Sequence, residues 1–268
     1  MATEFPVEYL NTLDKILCTE SYTSAYQVQG AEFIGAKTVN VPELTLSDSL
    51  SDYTGKFANG SKAEIHYTPY SLDKDREYSF TVDAVEDMNE NHLRVANGLA
   101  EVQRTLVIPE LDTYFFAKAA SAAKTKGTAT LSAANSKAEL RKVRTAFVSA
   151  GIANNADLFM SSTALTLLED ATDRSWANEG ELHTMIGRYD IFNIYEVPDA
   201  MLAQDFIAIA GGQQTIKTVI KRAVTRVFAP EVNQVSDGYL CQGRWVYGNV
   251  ALKNKTAGIY ASKAGAAG

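Results

Sequence analysis

The sequence predicts an α+β protein on three observations: a long amphipathic helix, two β-rich runs before it, and an alternation of short strands and helices after it. The helix carries the strongest signal. Val85, Met88, His92, Val95, Leu99, Val102 and Leu106 recur at alternating steps of three and four. That spacing places them on one face of a helix more than about five turns long. Glu86, Asp87 and Glu90 crowd its first turns, where negative charge suits the helix dipole. Pro109 lacks a backbone donor, so the helix should kink or stop near Ile108.

The β-rich runs are FIGAKTVNVPELTL and AEIHYTPYSL, flanking the polar loop SDSLSDYTGKFANGSK at residues 47–62. They read as a long hairpin with a broad tip. Pro42 and Pro69 are tolerable only at edges or irregularities. A two-stranded ribbon is marginal alone in water, and edges bearing Val39, Val41, Ile65, Tyr67 and Tyr70 invite pairing. Either the hairpin folds back on its own domain or it reaches over something else.

The remaining elements follow in order. Residues 6–17 read as a short helix within an arm, and Ser21 to Gly30 offers too little apolar area to fold by itself. Glu77 to Asp83 alternates cleanly as a strand leading into the long helix. After Lys118, AASAAKTKGTATLSAANS reads as a small, polar linker. Ser136 to Ala150 is a basic amphipathic helix with Leu140, Val143 and Phe147 inward. Asp157 to Ser161, Gly187 to Val197 and Asp205 to Ala210 read as strands, and Ser162 to Asp170 as a helix. Residues from about 218 onward return as strands beside the long helix.

A chain of 268 residues can bury a sizeable core, and 46% hydrophobic with 21% charged residues is ordinary for a globular protein. The N-terminus lacks a basic start and an apolar run, so no signal peptide is expected, and no stretch is long enough to span a bilayer. Cys18 and Cys241 suit reduced thiols rather than a disulfide framework. Residues 1–113 carry 19 acidic and 8 basic side chains, whereas residues 114–268 carry 13 and 17. This acidic balance argues against a dedicated nucleic-acid binder.

No motif for enzyme chemistry is intact. Gly30 to Thr38 nearly matches a phosphate-binding loop, but Ala36 separates glycine from lysine and a β-rich run follows where a helix should start. Asp73, Asp75 and Glu77 alternate like a calcium loop, yet Tyr78 replaces the required glycine, leaving strand-surface charges. His66, His92 and His183 are scattered and give no zinc spacing, so no metal, cofactor or catalytic set is expected. His92 on the helix stripe reads as a core-facing or interfacial histidine.

Two longer strings carry a resemblance. EVQRTLVIPELDTYFFAKAA resembles the spine helix of tailed-bacteriophage major capsid proteins with the Hong Kong 97-type fold, with Arg104, Pro109, Glu110, Asp112 and Tyr114 matching. DGYLCQGRWVYGNVALKNKTAGIYAS resembles that family's closing strands, with Arg244, Asn254, Lys255 and Gly258-Ile259-Tyr260 in place. It departs where Trp245 to Asn249 replace a more polar run. The likeness is closest over residues 33–120 and 218–262.

The resemblance implies an N-arm (1–32), an E-loop hairpin (33–82), a P-domain spine helix (83–126), an A-domain (127–217), and P-domain closing strands with a C-terminal tail (218–268). It implies a subunit that assembles into pentamers and hexamers of an icosahedral shell around double-stranded DNA, without sequence-specific contacts and without a membrane. Portal, decoration and separate scaffolding proteins would be partners, and the place of action would be the virion, assembled in the host bacterial cytoplasm. Inter-subunit contacts would come from Tyr53, Lys56, Phe57, Lys62, Ile65, Tyr67 and Tyr70 in the E-loop, Met88, His92, Arg104, Pro109, Glu110 and Asp112 on the spine helix, and Arg244, Asn254, Lys255 and Tyr260 in the closing strands. Lys56 and Lys62 sit where some members of the fold form isopeptide cross-links, but no acidic catalyst accompanies them. Two other readings stand beside this one: an encapsulin-like shell around a cargo enzyme, and a soluble α/β enzyme.

Overall fold

The computed structural model describes residues 21–28, 37–45, 52–53, 64–84, 93–152, 155–172, 185–234 and 236–263. In chain order the strands are β1 Gln27–Val28, β2 Thr38–Thr45, β3 Glu64–Ser71, β4 Lys74–Asp83, β5 Thr125–Lys126, β6 Ala156–Ser161, β7 Met185–Tyr189, β8 Phe192–Val197, β9 Phe206–Ala210, β10 Ile216–Phe228, β11 Gly238–Ala251 and β12 Ile259–Ala261. The α-helices are α1 Leu93–Val102, α2 Ile108–Ala122, α3 Ser136–Ser149 and α4 Ser162–Thr172. The strands belong to three sheets: a four-stranded sheet ordered β1-β10-β11-β4, a six-stranded sheet ordered β5-β12-β9-β6-β8-β7, and the two-stranded β2-β3 ribbon.

The six-stranded sheet holds the core. Every residue of β9 is buried, as suits a strand covered on both faces. One side packs Leu140, Val143 and Phe147 of α3 with Leu165 and Leu168 of α4. The other side packs Phe115, Phe116 and Ala119 of α2 with Phe159, Ile207 and Ile209. Tyr22 and Tyr26 join that second cluster, so residues 21–28 gain from their own chain the apolar cover they could not provide alone. Tyr26 packs on Phe115 at 5.0 Å between ring centres, and β1 adds to the four-stranded sheet parallel to β10.

Several sequence expectations change. Of the two outcomes expected near Ile108, a kink or a stop, the helix does not stop, and its regular winding is interrupted there. It runs from α1 through a π-turn at Gln103–Val107 into α2, with the Ile108 N–H bonded to the Gln103 carbonyl. Pro109 occupies the first turn of α2, where a missing N–H costs least, and the wider π-turn accommodates its ring. The segment after Lys118 is also not all linker. Helix α2 continues to Ala122 because Ala119, Ala120 and Ala123 are buried, and small side chains allow a close approach to the core. Residues 187–197 form two strands rather than one. They turn at Asp190, whose φ of 55° is the left-handed conformation that aspartate tolerates.

Residues 259–261 lie beside the long helix, with Ile259 and Ala261 packed among Phe115, Phe116 and Ala119, and they pair between β5 and β9 in the six-stranded sheet, because a 3-10 turn at Lys253–Gly258 redirects the chain and Ile259, Tyr260 and Ala261 are apolar enough for burial on both faces. The helical expectations at residues 6–17 and 85–92 lie outside the described residues.

In the four-stranded sheet, β10 pairs antiparallel with β11 and β11 with β4. The pleat divides β4 into two rows: Lys74, Arg76, Tyr78 and Phe80 on one face, Asp75, Glu77 and Ser79 on the other. The first row faces the long helix. A Cβ at Gly98 of α1 would lie 3.1 Å from Phe80, and one at Gly243 of β11 would lie 2.2 Å from the Tyr78 ring. A side chain at Gly243 would force the Tyr78 ring to move, whereas one at Gly98 would ask Phe80 to give by only a few tenths of an ångström.

Candidate assembly surfaces

The β2-β3 ribbon is two-faced. Its register pairs Val39 with Tyr70, Val41 with Thr68 and Glu43 with His66 on one face, and Pro42 with Tyr67 and Leu44 with Ile65 on the other. Val39 and Val41 are buried against Leu72, Val219, Val246 and Val250 of the four-stranded sheet. The opposite face is uncovered, with Leu44 at 61%, Ile65 at 60% and Tyr67 at 65% exposure. The ribbon thus folds back on its own chain at its base and presents an apolar surface beyond it. Pro42 and Pro69 fit because both strands are edges.

Ion pairs fix the base of the ribbon. Asp75 of β4 accepts a bidentate pair from Arg244 at 2.9 and 2.8 Å, and Lys37 joins it at 2.9 Å. Arg244 first and Lys37 second hold the Asp75 carboxyl well below the usual carboxylate range. Further along, the Tyr70 hydroxyl donates to Glu43 at 3.3 Å, and Lys253 lies 4.0 Å from the same carboxylate. Between these points the ribbon travels from the Asp75–Arg244 pair toward Lys253, which lies beyond the end of β11.

A second set of contacts ties the long helix to β4. Arg76 donates to Glu110 at 2.6 Å, Lys118 and the Tyr114 hydroxyl both reach Asp73 at 3.1 Å, and the Lys74 ammonium lies 4.9 Å from the Tyr114 ring centre. Burial, then the charge of Asp73, pushes the Tyr114 hydroxyl up to about 12. Arg104 pairs with Glu101 on its own helix at 2.9 Å.

Asp112 is the most enclosed charge of the set, at 1% exposure. It accepts from the Ser21 hydroxyl at 2.9 Å, the Tyr22 N–H at 2.9 Å and the Thr23 hydroxyl at 2.5 Å. Burial raises its proton affinity, and the Thr23 and Tyr22 donors oppose that rise. The segment entering β1 is thereby fastened to the long helix.

The residues singled out in the sequence therefore divide. Tyr53, Ile65 and Tyr67 are exposed, and Tyr70 turns toward Glu43. Glu110, Asp112 and Arg244 are intramolecular anchors, and Pro109 is part of the π-turn junction. Asn254 is exposed, Lys255 reaches Gln214 at 3.4 Å, and Tyr260 is buried against Phe206. Lys56, Phe57, Lys62, Met88 and His92 lie outside the described residues. Sequence reading missed Leu44, whose exposure depends on which ribbon face is covered, and the anchoring roles of Asp73, Asp75 and Arg76. In the sequence the alternation of Asp73, Asp75 and Glu77 marks only surface charges, and nothing singles out Arg76.

No protein-family model and no curated protein matches the chain. Solved structures do. A chain of the mature capsid of bacteriophage PhiM1 aligns with a TM-score of 0.68 at 14% identity, over 98% of this chain and 92% of that one. A chain of the capsid of cyanophage P-SCSP1u aligns at 0.63 and 12%, over 99% and 93%. A chain of a virus-like particle from Pyrococcus furiosus aligns at 0.56 and 13%, over 88% and 89%. The α+β architecture, followed along almost the whole chain, is that of bacteriophage capsid subunits.

Proposed function

We propose that this chain is the major capsid subunit of a tailed bacteriophage, a structural protein rather than an enzyme, that assembles with copies of itself into a closed shell. The observation that carries this reading is the uncovered apolar face of the ribbon, on a fold shared end to end with capsid chains. Burying Leu44, Ile65 and Tyr67 against a neighbour would contribute about 1.5–3 kcal/mol per side chain. Repetition around a closed shell makes such contacts cooperative.

In this reading the fold is the Hong Kong 97 type. The ribbon and its loop are the E-loop, the long helix is the spine of the P-domain together with β4, β10 and β11, and the six-stranded sheet with α3 and α4 is the A-domain at the centre of pentamers and hexamers. The segment before Ser21 is the N-arm, fastened at its root by Asp112. The shell would enclose double-stranded DNA, assemble in the host bacterial cytoplasm and act in the virion, with scaffolding, portal and decoration proteins as partners. The P. furiosus particle covers less of the chain at a lower TM-score, so the phage capsid is preferred over an encapsulin-like compartment.

Sedimentation velocity of the purified chain, alone and co-expressed with a scaffolding protein, tests this. Material sedimenting as large particles is expected. A single 29.2 kDa species under both conditions contradicts it.

A further inference from the structure

A cavity of about 310 Å³ lies between the long helix and the four-stranded sheet, with Leu106 and Val107 of the π-turn on one side and Trp245 and Tyr247 of β11 on the other. Its origin is local. Gly243, Trp245 and Tyr247 share one face of β11 by the strand's period of two. That face looks at the helix: Gly243 leaves room for the Tyr78 ring, and Tyr247 meets Tyr114 of α2 edge-on at 5.9 Å. The wider winding of the π-turn interrupts the regular stacking of side chains above it. Leu106, at 61% exposure, gives the opening an apolar rim.

The polar groups inside are unevenly matched. The Trp245 indole N–H and the Tyr247 hydroxyl are buried, and among the described residues neither makes a hydrogen bond. Tyr247 as a whole is only 2% exposed. An indole nitrogen can only donate. Burial first, and the charge of nearby Glu110 second, raise the proton affinity of the Tyr247 hydroxyl, so near pH 7 it keeps its proton. Arg76, the cation of the lining, is engaged by Glu110 at 2.6 Å. The cavity thus combines aromatic and aliphatic walls, two donors in want of an acceptor, and no unengaged cation. Its volume suits a ligand of about one ring.

We infer that this cavity is a binding site for a small neutral molecule with an apolar ring or branched chain and an acceptor oxygen, of the kind an aromatic amide presents. The apolar body lies between Leu106, Val107 and the indole ring, and the oxygen takes the Trp245 N–H. A ligand so placed bridges the long helix and β11, and therefore stabilises the folded chain by mass action. The inference goes beyond the shell reading and does not depend on it.

Benzamide titrated into the purified chain tests it, read by isothermal titration calorimetry and by the thermal melt. Saturable heat and a raised melting temperature are expected. Trp245→Phe keeps the aromatic wall and removes the donor. It is expected to weaken benzamide about fivefold, the worth of one neutral hydrogen bond, while the ligand-free melt does not fall. Should that substitution unfold the sheet, Leu106→Asp at the exposed rim is expected to abolish binding in a folded chain. Benzoate is expected to bind at least tenfold more weakly than benzamide. No saturable heat with benzamide up to its solubility limit overturns the assignment. So does an affinity left unchanged by either substitution, or benzoate binding as tightly as benzamide. Tighter binding of benzylammonium also overturns it, making the site an aromatic cage for cations instead.

Discussion

Deleting Ser47 to Lys62 is expected to abolish shells while leaving a folded, soluble subunit. The deletion removes the loop and leaves the base of the ribbon, where Val39 and Val41 are buried and Lys37 reaches Asp75 at 2.9 Å. The ribbon residues that enter a buried cluster, Val39, Val41 and Tyr70, lie outside the deleted span, so the melt should move by less than about 1 kcal/mol in stability, as for changes away from a core. Assembly should fall much further, because each subunit loses a contact that recurs around the shell. Light scattering on a size-exclusion column, with circular dichroism on the same fractions, separates the two effects. Normal particles from the shortened chain would rule out the loop as an essential link between subunits.

The second large effect is on stability. Asp112→Ala is expected to destabilise the subunit by about 3–5 kcal/mol, the range for breaking a buried charged network. The substitution strands the Tyr22 N–H and the Thr23 hydroxyl, both donors to the carboxylate and both on buried residues. Restoring water to those donors means lifting Tyr22 and Tyr26 out of the cluster with Phe115 and Phe159. Asp112→Asn keeps one acceptor oxygen and should cost less. Urea denaturation of the three proteins measures the order directly; an Asp112→Ala midpoint equal to wild type would mean that the segment is held by its tyrosines alone.

How legible these features were in the sequence follows from their range. Helix α3 and strand β6 show in local periodicity because their apolar residues face one adjacent core. The π-turn does not, since Pro109 by itself signals a kink or a stop without choosing between them, and only continued packing of Phe115 and Phe116 makes a rewound helix favourable. The β7-β8 hairpin was hidden because Asp190-Ile191 lacks the glycine or asparagine that marks a tight turn. The alanines after Lys118 look like a linker until a core appears beneath them.

The surfaces were harder still. Arg244 meets Asp75 across 169 residues, and Asp112 meets Tyr22 across 90, contacts set by strand register and helix docking. The two faces of the ribbon became distinguishable only once its base was seated. The resemblance in the spine-helix and closing-strand strings indicated the fold class. It gave no sign that Glu110, Asp112 and Arg244 serve as internal anchors.

The measurement that tests the central claim most directly is electron microscopy of the purified chain, co-expressed with a scaffolding protein where needed. The account predicts closed icosahedral shells built of five- and six-fold rings, with each ribbon lying over a neighbouring subunit. A uniform population of isolated 29.2 kDa subunits, with no rings, tubes or shells, would contradict it.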